Sequence, residues 1–206
     1  MTRMVGVASQ WFVIVRDQTC PGCGLAASSI PKEELGSAIF AEARRWVALL
    51  DSLSGTPSLR ARSSPSVWSA LEYAGHTRDT LGLFAERVEL ALAVDDPQFG
   101  YQNQDQAVQD GRYNEQDPGI VASGLFANAE HFAVLLETLP QGGWRRAGTR
   151  LEGERFDVAL LARFALHEAR HHRIDATRSS ETRGGGGSSA GLGAPLVSDL
   201  CWEKDW

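Results

Sequence analysis

The sequence predicts an all-α protein: a four-helix bundle with one long crossover connection and a disordered C-terminal tail. Two observations predict this fold. Four long segments carry apolar residues at steps of three or four positions, the spacing that gives a helix one apolar face. A polar connection at 95–116 separates the second segment from the third, and it is long enough to cross a bundle.

Composition narrows the function classes. The chain has 206 residues, of which 43% are hydrophobic and 22% charged, with a formal net charge of −6. Apolar content near the globular average excludes a wholly disordered chain. The acidic balance argues against nucleic acid as a partner, because proteins that bind it normally present a basic surface. We find neither a secretory signal nor about 18 consecutive apolar residues, so we expect a cytoplasmic protein that does not enter a membrane.

The helix boundaries follow from capping and breaking residues. Pro31 after two serines, and Asp117 followed by Pro118, are typical of helix starts. The four helices are predicted over residues 31–53, 67–92, 117–139 and 157–177. Glycines in 141–156 favour a short hairpin, and Trp11–Val15 is a further strand candidate.

Three regions are predicted along the chain: an N-terminal segment 1–30, the bundle 31–178 and a tail 179–206. The tail contains RGGGGSSAGLGAP, a composition typical of a flexible tether. Whether its last tryptophans, Trp202 and Trp206, pack back onto the bundle is left open.

The N-terminal segment contains a Cys20-x2-Cys23 pair with three interpretations. As half of a zinc site it needs two further ligands, and the only other cysteine is the distant Cys201. As a redox pair it lacks the usual βαβ context. The favoured interpretation is two unbonded thiols near the surface.

The fourth predicted helix carries the densest chemical signal. Side chains four positions apart lie on one helix face, close enough to share a metal ion. Two such pairs compete here: His167 with His171, and Glu168 with His172.

A third ligand is offered by His76 on the second helix, at the edge of its apolar face. Three protein ligands leave a coordination position open, which is typical of catalytic rather than structural metal sites. On the fourth helix, Arg170 and Arg173 are candidates for binding a carboxylate of a substrate or thiol, because Arg binds carboxylates bidentately.

Two motifs carry a family resemblance. W-S-x-L-E-Y-x-x-H-x-R-D at 68–79 and L-H-E-x-x-H-H-x-x-D at 166–175 resemble the DinB/YfiT-like superfamily, which includes the mycothiol-dependent maleylpyruvate isomerases of actinobacteria. The resemblance covers roughly residues 20–177. It implies a four-helix bundle, usually dimeric, with a divalent metal ion held by three residues in the core.

The resemblance also implies a ligand set. His76 matches the second-helix histidine of the family, and the pattern Glu-x3-His-x2-Asp fits Glu168, His172 and Asp175. We favour His76, Glu168 and His172 as ligands, with Asp175 orienting one of them. A His-x3-His variant would instead select His167 and His171.

The function implied is activation of a low-molecular-weight thiol, with mycothiol as cosubstrate, by a bound divalent ion for transfer to a small electrophile. Zinc is the expected metal, with nickel and manganese as alternatives, and a homodimer is expected. The isomerases carry a further C-terminal domain where this chain has a Gly-rich tail, so we do not expect maleylpyruvate as substrate. The alternative is a non-enzymatic, metal-binding or stress-related helical bundle that acts through protein interactions.

Overall fold

The structure, a computed structural model, describes residues 9–100, 103–150 and 154–181. The helices are α1 Gln10–Asp17, α2 Leu35–Leu53, α3 Ala70–Ala93, α4 Gln104–Asp110, α5 Pro118–Glu137 and α6 Val158–Glu181. The strands are β1 Ala147–Thr149 and β2 Arg155–Asp157. Most of the predicted tail, 182–206, lies outside the described residues.

Helices α2, α3, α5 and α6 form the predicted four-helix bundle. Each of α5 and α6 packs against both α2 and α3, which places α2 diagonally opposite α3 and α5 opposite α6. The connections 54–69 and 138–157 therefore link diagonal helices, while the long segment 94–117 joins neighbours and contains α4. The largest fully buried side chains of the core are those of Trp46, Tyr73, Phe132, Phe156, Phe164, Leu35 and Ile39.

The predicted strand at Trp11–Val15 is wrong, because these residues lie in helix α1. The Ser9 side chain accepts a hydrogen bond from the Phe12 amide and caps the helix start. Positions 11, 12, 14 and 15 share one helical face, which is buried. Phe12 packs on Phe156 with ring centroids 5.1 Å apart. Burial of this apolar face stabilises the helix, although Val13, Ile14 and Val15 are β-branched residues that favour strands.

The predicted hairpin is confirmed. Strands β1 and β2 pair antiparallel, with Gly148 opposite Phe156. Beside their turn, Nε of Arg150 donates to Oε2 of Glu154 at 2.9 Å, and both side chains are buried. Oε1 of Glu154 accepts the Ser9 amide at 2.7 Å, which ties the hairpin to the start of α1.

Helix α6 continues three residues beyond the predicted end of the bundle at residue 178. The Ser179 hydroxyl is buried and donates to the Trp68 carbonyl at 3.0 Å. This hydrogen bond satisfies the Ser179 hydroxyl, although the sequence composition had placed Ser179 in the tail.

Among the described helices, α5 is long and apolar enough to cross a membrane by length and composition. In the structure it is a bundle element that packs against α2 and α3. Its inner side buries Val121, Leu125 and Phe132, while Ile120 and Val134 on its outer side are exposed.

Candidate metal centre

Helix α3 carries His76 almost two turns from its N-terminus, and local hydrogen bonds fix where that helix starts. The Ser69 hydroxyl accepts the Glu72 amide at 3.2 Å, and the Glu72 carboxylate accepts the Ser69 amide at 2.8 Å. This reciprocal pair is a capping box. Arg62 holds the same carboxylate at 2.6 Å. With the start fixed, the side chain of His76 is buried on the face of α3 that meets α6.

Helix α6 carries Glu168 and His172 one turn apart. The Asp157 carboxylate caps its start by accepting the Leu160 amide at 2.7 Å. Farther along, the Trp46 indole N–H donates to the Ala169 carbonyl at 2.8 Å and fixes α6 against α2. The rotation of α6 about its axis is thereby set by packing, and it directs both side chains toward α3.

The three predicted ligands converge. Oε2 of Glu168 lies 3.1 Å from Nε2 of His172 and 3.5 Å from Nε2 of His76. One ligand atom from each residue lies within 4.8 Å of the other two, and all three side chains are buried. Two imidazole nitrogens and a carboxylate oxygen form a donor set that zinc and other divalent ions accept. The residues present therefore fit a divalent ion.

The protonation of these groups follows from burial and from one another. Burial lowers the pKa of His76, which favours the neutral imidazole that binds metals. Burial alone would raise the pKa of Glu168, but His172, His167 and His76 hold it well below its usual value. Burial also opposes charge on His172, yet Glu168 and Asp175 raise its pKa to about 9. A divalent ion would take the place of that proton beside Glu168.

Asp175 lies beside the ligand set, as the sequence predicts. Its Oδ2 is 3.6 Å from Nδ1 of His172, whose Nε2 faces Glu168. The same oxygen lies 3.2 Å from Nε2 of His171. The 3.2 Å contact is of the kind that orients imidazole ligands. At 3.6 Å the carboxylate lies beyond hydrogen-bond distance of His172 and acts on that imidazole through its charge.

Two of the three predicted ligands, His76 and Glu168, line a small cleft that is partly open to solvent. The cleft is lined by His76, Thr80, Leu83, Phe84, Arg87, Gln104 and Glu168. Oγ1 of Thr80 lies 3.3 Å from Nε2 of His76. Solvent in this cleft can therefore reach the side chains of His76 and Glu168 that would hold the ion.

Arg87 is a cleft residue that the sequence analysis did not single out. Its side chain is buried, its guanidinium lies over the Phe84 and Phe99 rings, and Nη2 donates to the Gly100 carbonyl at 2.8 Å. Nε has no hydrogen-bond partner, and among the described residues no carboxylate pairs with this side chain. Burial lowers its pKa to about 10, with a smaller contribution from Arg150, so it stays charged near neutral pH.

The signal for Arg87 was present in the sequence. Positions eleven apart lie about three turns along one helix face, so His76 and Arg87 share a face of α3. An arginine on such a face indicates a ligand only once the helix is known to border a cleft.

The other predicted residues lie elsewhere. The nitrogens of His167 and His171 come together with the thiols of Cys20 and Cys23, and not with His76. The alternative set of His76, His167 and His171 is thus not assembled among the described residues.

The two candidate arginines of α6 contact the protein itself. Nε of Arg170 donates to the Cys23 carbonyl at 3.3 Å, and Nε of Arg173 donates to the buried Glu42 carboxylate at 2.9 Å. A role for either in binding a ligand stays a prediction.

Fold and site together define a helical-bundle protein with a buried His-Glu-His centre beside a cleft. The chain belongs to the DinB superfamily, whose family model matches residues 40–176. The family resemblance of its two motifs is thereby confirmed. No curated protein sequence matches the chain.

Solved structures similar to the chain include YfiT from Bacillus subtilis, described as a probable metal-dependent hydrolase with an unusual four-helix bundle topology. The two chains are 16% identical, with a TM-score of 0.68, and the match covers 76% of this chain and 91% of YfiT. This likeness confirms the four-helix bundle.

Proposed function

We propose that this protein binds one divalent ion through His76, Glu168 and His172 and uses it to activate a low-molecular-weight thiol, such as mycothiol, for transfer to a small electrophile. The observation that carries the proposal is the position of the three donor atoms. They converge within 4.8 Å, and two of the three residues, His76 and Glu168, line a cleft that is partly open to solvent.

The number of protein ligands supports a catalytic ion. Three protein ligands, two of which line a cleft, leave room for a further ligand from solvent or substrate, as catalytic sites do. When bound, the ion lowers the pKa of a coordinated thiol, so that the thiolate is present near neutral pH. The mixed nitrogen and oxygen donors favour zinc, with nickel or manganese as alternatives.

The remaining groups of the cleft support a small anionic electrophile. Nε of Arg87 has no partner among the described residues, and guanidinium groups bind carboxylates bidentately. Leu83 and Phe84 give the cleft an apolar wall that limits water near a reactive thiolate. Gln104, on the short helix α4, offers an amide at the mouth of the cleft.

The test is turnover of an electrophile by the full chain, with and without a thiol and with and without added metal. We expect activity only when both thiol and metal are present, and loss of activity in His76→Ala with helicity retained. A protein that binds the ion but turns over no electrophile with any thiol would contradict the proposal.

Hydrolysis is a second candidate, because the structurally similar YfiT is described as a probable metal-dependent hydrolase. The two candidates differ in the nucleophile that the ion activates, a thiol or water. Ester and amide substrates assayed without thiol separate them. If metal-dependent turnover needs no thiol, hydrolysis replaces thiol transfer.

We also propose that the protein is a homodimer and is located in the cytoplasm. The outer side of α5 supports the dimer, because Ile120 and Val134 are exposed there with 69% and 51% of their surface accessible. Sedimentation of the full chain tests it. A monomer at all concentrations would contradict the dimer.

A further inference from the structure

We propose that Cys20, Cys23, His167 and His171 form a second metal centre: a closed, four-coordinate, structural zinc site. One ligand atom from each of these residues lies within 4.8 Å of the other three, and all four side chains are buried. Two thiolates and two imidazoles are a donor set that tetrahedral structural zinc sites use. This inference does not depend on the proposed function.

The loop that carries the cysteines has the conformation needed to direct both sulfurs toward α6. The Gly24 amide donates to the Cys20 carbonyl at 2.8 Å, and the Cys20 amide donates to the Leu25 carbonyl at 2.8 Å. Gly24 adopts a φ of +69°, a left-handed conformation that glycine allows without strain. The result is a tight knuckle that places both thiols on one side.

Gly22 allows the knuckle to approach His171. A Cβ at this position would lie 2.7 Å from Cε1 of His171, closer than carbon atoms pack. Two arginines of α6 hold the knuckle in place: Arg170 donates to the Cys23 carbonyl at 3.3 Å, and Arg178 donates to the Gly22 carbonyl at 3.1 Å. The loop is thus built onto the helix that carries the two histidines.

His171 is oriented as a metal ligand would be. Its Nδ1 lies 3.4 Å from the Cys20 sulfur, and its Nε2 lies 3.2 Å from Oδ2 of Asp175. Metal-binding histidines commonly offer one nitrogen to the ion and donate the other N–H to a carboxylate. The Trp11 ring packs on the imidazole with centroids 5.3 Å apart and restricts its rotation.

His167 supplies an independent observation. Only 1% of its surface is exposed, yet neither ring nitrogen makes a hydrogen bond. Its Nδ1 is 3.7 Å from Oε1 of Glu168, which is beyond hydrogen-bond distance. A buried imidazole without partners is unfavourable, because it loses its hydrogen bonds to water and gains none in the protein. A zinc ion bound to His167 would satisfy one of these nitrogens.

The charge of the proposed centre suits its surroundings. Two thiolates balance the two charges of the ion, and two neutral imidazoles add none. A neutral centre can be buried beside Trp11 and the core at far lower cost than an isolated charge. The sequence interpretation of thiols near the surface is wrong, since both are buried, although both are free of disulfide bonds as expected.

Helix α6 supplies two ligands to each of the two candidate metal sites. The pairs His167/His171 and Glu168/His172 have the same spacing and are offset by one residue, so they occupy adjacent faces of α6. One face meets the cysteine knuckle and the other meets His76. A structural ion in the first site would fix the N-terminal segment to α6 and thereby support the helix that presents the second.

The test uses the full chain loaded with Co²⁺ in place of zinc and read by absorption spectroscopy. Thiolate ligands give a sulfur-to-cobalt charge-transfer band, and tetrahedral coordination gives intense visible bands. We expect both in the wild-type protein. The charge-transfer band should weaken strongly or disappear in Cys20→Ser and in Cys23→Ser, because each variant removes one of the two thiolates. It should remain in the matched control Cys201→Ser and in His76→Ala.

Zinc titration of the metal-free wild type provides the second measurement, with two ions per chain expected if both sites exist and one if only the knuckle site exists. Absence of a charge-transfer band in the reduced wild-type protein would overturn the proposal. A charge-transfer band of undiminished intensity in Cys20→Ser or in Cys23→Ser, or a Cys20–Cys23 disulfide that persists under reducing conditions, would also overturn it. Because the first readout uses wild-type protein, misfolding of a variant cannot mask the result.

Discussion

Nε2 of His171 lies 3.2 Å from Oδ2 of Asp175. That contact turns Nδ1 of His171 toward the Cys20 sulfur, 3.4 Å away. The same Asp175 oxygen lies 3.6 Å from Nδ1 of His172, whose Nε2 faces Glu168. The Asp175 carboxylate thus lies next to one imidazole of each of the two groups of candidate ligands.

The shared position of Asp175 predicts a double effect of its removal. Asp175→Asn keeps the size of the side chain and removes its charge, so His171 loses its carboxylate contact and His172 loses a nearby negative charge. We expect zinc affinity to fall by about 10- to 100-fold at both sites, measured by competition with a chelator. The exposed Asp51→Asn is the control and should bind zinc as the wild type does. Unchanged zinc affinity at both sites in Asp175→Asn would contradict a role of this carboxylate in metal binding.

Separate substitutions assign an ion to each pair on α6. Glu168→Gln should weaken binding at the cleft by about tenfold or more, and should leave the cobalt–thiolate band intact. His167→Gln should weaken cobalt binding at the knuckle, and with it that band, and should leave binding at the cleft nearly unchanged. Metal content and cobalt spectra of both variants provide the check. The reverse pattern would move the cleft site to His167 and His171.

Arg87 is predicted to set the preference for anionic substrates. Arg87→Gln loses a charge-assisted interaction, a class worth about 1.5–3 kcal/mol, which corresponds to a KM about 10- to 100-fold higher for a carboxylate-bearing electrophile. Because Arg87 does not contact the predicted ligands, kcat should change much less. An uncharged ester of the same electrophile should show no KM difference between variant and wild type.

The matched control for Arg87 is Arg44→Gln, an exposed arginine on α2 that lies over the Phe40 ring. It should leave both kinetic constants unchanged. Equal KM values for acid and ester in the wild type would contradict an anion-binding role for Arg87.

The buried pair of Arg150 and Glu154 predicts a pH dependence of stability. Burial favours a higher pKa for Glu154, but the Ser9 amide and Arg150 lower it below its usual value. A lowered folded-state pKa contributes stability above the unfolded pKa, near 4.3, and this contribution is lost as the pH falls through the folded value.

Glu154→Gln should therefore lower the free energy of unfolding by about 1.5–3 kcal/mol at pH 7, because it replaces the charge-assisted hydrogen bonds of this carboxylate with neutral ones. The difference from the wild type should shrink below about pH 4.3. Urea denaturation from pH 3 to 7 provides the measurement, and a difference that is constant over this range would contradict the prediction.

The bundle was predictable because its signals are local. Apolar spacing and capping residues such as Asp117 specify helices without knowledge of their neighbours. The strand assignment at Trp11–Val15 failed because a run of five apolar residues fits both the helical and the strand period. The contacts of Phe12 with Phe156 and Phe164, which are distant in sequence, decide for the helix.

The ligand groups were only partly predictable. The spacing on α6 indicated two pairs but treated them as competitors, whereas the structure gives each pair its own partners. The partners of Cys20 and Cys23 lie about 150 positions away along the chain, and no local pattern links such distant segments. A resemblance could find His76 because its motif is shared with a family.

The most direct measurement is an anomalous difference map from crystals of the zinc-loaded full chain, recorded at the zinc absorption edge. We expect a zinc peak about 2.0–2.2 Å from nitrogens of His76 and His172 and from an oxygen of Glu168, beside the cleft. A map with strong zinc peaks elsewhere and none between these three side chains would contradict the central claim.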